Sequence, residues 1–306
     1  MKFINFLIEN NHKKIYVDPC SGNNGDHLIW LGMLEVLSKS RSVIVKDVRD
    51  ADLVIINGGG MFIDAYKQGI NKVSEYSNRY PDKELCIAPN SFHFKTIDFG
   101  KVLDLRQSKL YIFSREKYSK SYIDSLQATR PLIKSYLDHD LAFNLKNSDF
   151  IASINKQYPA AIPGNILVVD RMDIEHASSA GKVSIIKGIY SFLVSSSIKS
   201  FIRKIRIKLR KELGTDFTKT ATDILKNNNY ETHKVTTMDI SRIDVCSFED
   251  FVRLIAEADY IFSNRLHVGV LGYLLGRNVY MSEGSYFKMT GIYEYSMKEA
   301  HNVNII

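Results

Sequence analysis

Three cysteines in 306 residues, at positions 20, 86 and 246, are too few, too widely spaced and odd in number to form a disulfide framework or a metal knuckle. Their scarcity fits a reducing cytoplasm. Paired His/Cys ligand spacings are absent as well, so no metal site is expected. No apolar run approaches the length of a transmembrane helix. The opening residues, Met1 to Asn10, are too polar for a secretory signal. The chain carries no internal repeat and no low-complexity tract. What remains is the composition of an ordinary globular protein, 45% hydrophobic and 25% charged, and long enough for two domains.

The net charge of +7 has a local source. Between Lys199 and Lys211 lie Arg203, Lys204, Arg206, Lys208 and Arg210, while Ile198, Phe201, Ile202, Ile205 and Leu209 fall on one helical face. This reads as a basic amphipathic helix over residues 198–211. It suits either peripheral contact with an anionic membrane surface or a core-packed helix with a solvated face. A nucleic-acid partner is not expected, because no aromatic ladder accompanies the charge.

Apolar runs alternate with helical patterns along the chain. Strands are expected at 14–17, 43–45, 53–56, 84–88, 110–113, 166–169, 260–262 and 279–281. Helices are expected at 27–38, 62–78, 97–105, 116–126, 218–227, 247–257 and 268–276. Such alternation argues for an α/β fold of parallel sheets covered on both faces. Polar residues ahead of Pro159 and Pro163 suggest a boundary near residue 150. That gives two Rossmann-like lobes, 1–150 and 151–306, with a cleft between them. Ligands in such folds sit beyond the carboxyl ends of strands.

Several loops at those ends carry chemistry. Ser263-Asn264-Arg265-Leu266-His267 joins an apolar strand to a small-residue helix. A strand-to-helix junction favours an anion through its N–H groups and dipole. Arg265 adds a bidentate fork and His267 a proton carrier near neutral pH. Gly22-Asn23-Asn24-Gly25-Asp26 is a turn opening a helix, but it is neither a Walker loop nor a three-glycine dinucleotide fingerprint. Asn57-Gly58-Gly59-Gly60 follows a buried strand. Three consecutive glycines there imply a close approach by something to the backbone, or a strained turn. Arg115 emerges from the strand end Leu110–Ser114, as Arg265 does from its own.

These motifs, with Ser114-Arg115-Glu116 and Gly284-Ser285-Tyr286-Phe287-Lys288 in the same order, make the chain resemble the polysaccharide pyruvyl transferases. The likeness spans about residues 15 to 295, with residues 150–235 carrying no motif. It implies a GT-B-like fold and an enzyme that moves pyruvate from phosphoenolpyruvate to a sugar as a ketal, releasing phosphate. It also implies that Arg265 and His267 contact the donor. The partners expected are phosphoenolpyruvate as donor substrate, no separate cofactor, and a saccharide acceptor, lipid-linked carriers included. The location expected is cytoplasmic, with the inner face of the plasma membrane an option.

The chemistry requires cationic clamps, a proton donor and a base. Arg265 and Arg115 are the expected clamps, with Lys288 third. His267 is the expected proton donor to the methylene carbon, or else a donor to the leaving phosphate. Asp26 is the base, or else a helix N-cap, and Asp140 is the second base candidate. Asn23, Gly25, Gly58, Gly59 and Gly60 are expected to meet substrate through their loops. Ser285 and Tyr286 could stack on a sugar or simply pack, and Asp170 to Asp173 to line the acceptor side. Removal of Arg265 or His267 is expected to affect activity far more than stability. The alternatives are a glycosyltransferase of the same fold using a nucleotide sugar, and a non-catalytic envelope-assembly protein.

Overall fold

Residues such as Leu53-Val54-Ile55-Ile56 are apolar without alternation, and in the structure all four are buried. Strands of that kind are stable only inside a parallel sheet covered on both faces. The structure, a computed structural model, describes residues 1–19, 22–171, 216–227, 234–284 and 286–306. Within them two parallel sheets form. The first holds β1 (Lys14–Asp18), β2 (Val43–Ile44), β3 (Leu53–Ile56), β4 (Gly59–Ile63), β5 (Glu84–His93), β6 (Leu110–Ser114) and β7 (Ile133–Leu137). Their order is β2-β1-β3-β5-β6-β7, with β4 paired to the distal half of β5. The second holds β8 (Asn165–Val169), β9 (Lys234–Thr237), β10 (Tyr260–Ser263), β11 (Asn278–Met281) and β12 (Val303–Ile305), in the order β12-β11-β10-β8-β9.

The strand order reverses once in each sheet, between β1 and β3 in the first and between β8 and β10 in the second. Chain leaving adjacent strands in opposite directions opens a crevice at that point, where open α/β sheets bind ligands. The Gly-rich loops after β1 and β3 stand at one reversal. Asp170-Arg171 and Asn264-Arg265 stand at the other.

Two helices join the lobes. In the helix Asn24–Ser40, Ile29, Met33, Val36 and Leu37 pack into the first lobe's core. Leu28 on the same helix packs into the second lobe's core. Because both faces are used, the helix lacks a single apolar stripe. The helix Leu266–Leu274 is apolar almost all round and correspondingly buried. Its glycines let it lie against the sheet: a Cβ at Gly269 would stand 2.3 Å from Met281 Sδ, and one at Gly272 2.8 Å from Ile261 Cδ1.

The expectation of two α/β lobes built on parallel sheets holds, and each expected strand is present. The element limits needed correction. The helix expected from His27 starts at Asn24, because Asn23 caps it and Asp26 completes a reciprocal capping box. The helix expected over 62–78 is divided: Phe62 belongs to β4, and the helix runs Gln68–Arg79. Strands β4, β7, β9 and β12 and the helices Phe3–Glu9, Asp149–Gln157 and Lys288–Ser296 add to the expected elements. The basic segment 198–211, Cys20, Asp173 and Ser285 lie outside the described residues. Among the described residues no helix is long and apolar enough to cross a membrane, no group of acidic, His or Cys side chains could hold a metal ion, and Cys86 and Cys246 are buried thiols.

Candidate functional site

The two reversal points face each other across a cavity of about 270 Å³. Asn23, Gly25, Asp26, Gly58, Gly59, Gly60 and Arg115 line it from the first lobe. Arg171, Arg265, His267 and Lys288 line it from the second. Residues more than 260 positions apart in the chain thus share one volume.

Each wall is shaped by its local sequence. Asn23 Oδ1 accepts from Gly25 N at 2.7 Å, and Asp26 Oδ2 accepts from Asn23 N at 2.8 Å. Asp26 is therefore the third residue of the helix rather than its N-cap. One of its oxygens is used locally, while Oδ1 stands 4.0 Å from where a Cβ on Gly59 would be, facing the other Gly-rich loop. Asn24 turns the opposite way. Its Nδ2 donates to the carbonyls of Ile240 and Cys246 at 2.9 and 3.0 Å, and its backbone N donates to Ser241 O at 2.8 Å. This one buried side chain ties the helix of the first lobe to the 238–246 loop of the second.

The triple glycine is partly strand. Gly59, at φ +141, takes a backbone geometry that L side chains rarely adopt. A Cβ on Gly58 would stand 2.9 Å from Pro89 O, and one on Gly60 3.2 Å from Arg115 Nη2. The close approach expected from sequence is thus made first by the protein's own Arg115.

Arg115 is only 1% exposed. Its Nε donates to Ser91 Oγ at 2.9 Å and its Nη1 to Asp140 Oδ2 at 2.6 Å. Asp140 Oδ1 accepts from Ala142 N at 2.9 Å, and its Oδ2 also meets His267 Nε2 at 3.4 Å. Burial alone would raise the Asp140 pKa; the charge and hydrogen bond of His267, followed by Arg115, hold it well below the usual carboxylate range. Asp140 is 0% exposed and does not line the cavity. Asp140 as a second base is therefore corrected: a carboxylate with no open surface and both oxygens engaged positions two groups that do line the site.

His267 is wedged between the lobes. Nε2 faces Asp140, and Nδ1 would be 2.8 Å from a Cβ at position 25. Glycine at 25 is what lets the imidazole approach the first lobe. Arg265 is the N-cap residue of its helix and makes no side-chain cap there. Its Nε and Nη2 donate to Asp239 Oδ1 and Oδ2 at 3.0 and 2.6 Å. That bidentate pair is buried on both sides, so Arg265 is part of the packing as well as of the lining. The expectation that its loss spares stability is corrected on that ground.

Other expected residues fall at the margin. Tyr286 is outside the lining. Its ring stacks on His93 with centroids 5.1 Å apart and 7° between planes, and Lys288 Nζ lies 5.4 Å from its centroid. Phe287 stacks on Tyr118 at 4.8 Å. This is the packed loop, not an open sugar platform. His139 likewise packs across the lobes, with Nδ1 2.9 Å from Ser296 Oγ. The cavity adds Met61, Tyr66, Gln68, Ser241 and Leu266, and Arg171 enters it directly. Asp239 and Ser241 carried no signal in the sequence, since they follow a short strand with an exposed, polar pattern. Tyr66 was hidden by the misplaced helix start.

A family model for polysaccharide pyruvyl transferase matches residues 23–283. No curated protein matches the chain. A crystal structure of a functionally uncharacterised protein from Klebsiella pneumoniae aligns with a TM-score of 0.64 at 17% identity, covering 99% of this chain and 96% of that one. Anabaena HepE, solved in complex with UDP, aligns with a TM-score of 0.40 at 12% identity, covering 96% of this chain and 85% of the other.

Proposed function

The chain belongs to the polysaccharide pyruvyl transferase family, and from that membership we propose that it takes pyruvate from phosphoenolpyruvate and installs it as a ketal on two hydroxyls of a saccharide. The observation that carries this reading is one cavity with four cationic side chains, a histidine and a carboxylate on its walls: Arg115, Arg171, Arg265, Lys288, His267 and Asp26. A donor with about three negative charges needs several cations, and charge-assisted hydrogen bonds in a partly dry site are the strong ones.

The reaction conserves atoms and charge as follows. His267 gives a proton to the methylene carbon of the donor, which becomes the methyl group. A sugar hydroxyl attacks the central carbon and loses its proton to Asp26. The bond from that carbon to the phosphate oxygen breaks, phosphate leaves with one proton, and the second hydroxyl closes the ring. Two hydroxyl protons are released in all; one balances the methyl group and one leaves on phosphate. The acceptor carrier, membrane contact through residues 198–211 and any regulation stand outside this chemistry.

Calorimetric titration with phosphoenolpyruvate, beside UDP and GDP, tests the donor. Binding of phosphoenolpyruvate without the nucleotides is expected. Binding of a nucleotide alone would transfer the site to a glycosyltransferase. Asp26→Asn tests the base cleanly, because an amide oxygen can still accept from Asn23 N and keep the helix cap. Turnover is expected to fall by about 100-fold or more, with donor binding retained. Unchanged turnover would remove Asp26 from the mechanism.

A further inference from the structure

Two neighbouring strand ends in the second sheet bring two arginines to the cavity. Ser263 of β10 pairs in register with Val169 of β8, so the residues that follow, Asn264-Arg265 and Asp170-Arg171, leave the sheet side by side. Asn264 locks the two strand ends together. Its Oδ1 accepts from Arg171 N at 2.5 Å, its Nδ2 donates to Asp170 Oδ1 at 2.7 Å, and its backbone N donates to Val169 O at 3.3 Å. This gives a structural reason for an Asn before the Arg-Leu-His sequence. Two guanidinium side chains thus flank the point where the strand order reverses, and both line the cavity. Arg171 Nη2 extends far enough to meet Tyr66 OH of the first lobe at 3.5 Å.

The opposite wall is different. It offers one buried guanidinium, Arg115, beside the backbone of Gly58, Gly59 and Gly60. A tetrahedral dianion with several acceptor oxygens suits two neighbouring arginines. A planar monoanion suits one fixed fork. His267 Nε2 faces the Asp140 that holds Arg115, and Asp26 Oδ1 faces Gly59, so both reactive side chains stand beside this wall.

We propose that the donor lies across the cleft with its phosphate on Arg171 and Arg265 and its carboxylate on Arg115 and the glycine backbone, which makes Arg171 a phosphate-binding residue. This rests on phosphoenolpyruvate being the donor. It also assigns product phosphate to the second lobe, so that inorganic phosphate and a bare carboxylate such as pyruvate occupy different ends of one site.

The test measures binding of phosphoenolpyruvate, inorganic phosphate and pyruvate to the full chain and to Arg171→Gln and Arg171→Lys. In Arg171→Gln, phosphate and phosphoenolpyruvate are expected to bind at least about 30-fold more weakly, with pyruvate within about twofold of the parent. Arg171→Lys, which keeps a point charge, is expected to regain part of the phosphate affinity and to report separately if the Gln variant folds poorly. Equal weakening of all three ligands, or phosphate binding unchanged in Arg171→Gln, overturns the orientation while leaving the donor in place. A parent chain that binds no phosphoenolpyruvate overturns the donor reading and this inference together.

Discussion

Arg265→Ala is expected to lose donor binding and, at the same time, about 3–5 kcal/mol of stability. The second loss follows from Asp239. Both side chains are nearly excluded from solvent, at 6% and 4% exposure. Removing one partner leaves the other as an uncompensated buried charge, the expensive way to break such a pair. The two losses separate in the double variant Arg265→Ala, Asp239→Ala. With both charges gone the desolvation penalty disappears, so part of the stability is expected to return, less the cost of the void that the two truncations leave. Donor affinity is not, because the guanidinium facing the cavity is still missing. Chemical denaturation and calorimetry on the two variants read these effects independently. A double variant that binds phosphoenolpyruvate like the parent would reduce Arg265 to a structural residue. A single variant as stable as the parent would mean that Asp239 finds water or another partner, contrary to the packing seen here.

The contrast between Arg265 and its partner also marks how much of this site can be read before folding. Arg115, Arg265 and the triple glycine were legible because they follow apolar runs directly, and Asp26 because it stands in a Gly- and Asn-rich turn just ahead of one. A strand end is a local feature, and local features survive in a single sequence. Arg171 was expected only within 170–173, on the acceptor side; its adjacency to Arg265 depends on β8 and β10 being neighbours, which the sequence does not order. Asp239 and Asp140 were misjudged or missed for a related reason. A carboxylate in a loop looks the same whether it meets solvent or is buried against an arginine, and only tertiary burial separates those cases. The fold shows the same division. Strands buried on both faces, such as β3 and β10, announce themselves. Strand β4 begins with two glycines and β9 is polar and exposed, so neither has a period to detect.

His267→Gln is expected to lower turnover by about 100- to 10,000-fold while leaving the donor dissociation constant within a few-fold of the parent. The range is that of general acid catalysis by a positioned side chain. Glutamine keeps much of the volume, polarity and reach, so the narrow space against Gly25 stays filled, but it cannot deliver a proton. Stability should fall only modestly: His267 leads the influences that hold the Asp140 carboxylate low, but Asp140 keeps its shorter bonds to Arg115 and Ala142 N. That asymmetry distinguishes the two halves of the Arg-Leu-His sequence: the arginine is held by a buried bidentate pair and the histidine by a loose contact and a glycine. A single-turnover experiment at saturating donor, monitored by phosphate release, checks the prediction. Normal turnover in the Gln variant would exclude His267 as the proton donor and shift attention to Lys288, another cavity-lining group able to carry a proton. Loss of donor binding with unchanged turnover at saturation would instead make His267 a second clamp. Its place on the cavity wall, against Gly25 and beside Asp26, supports the first role.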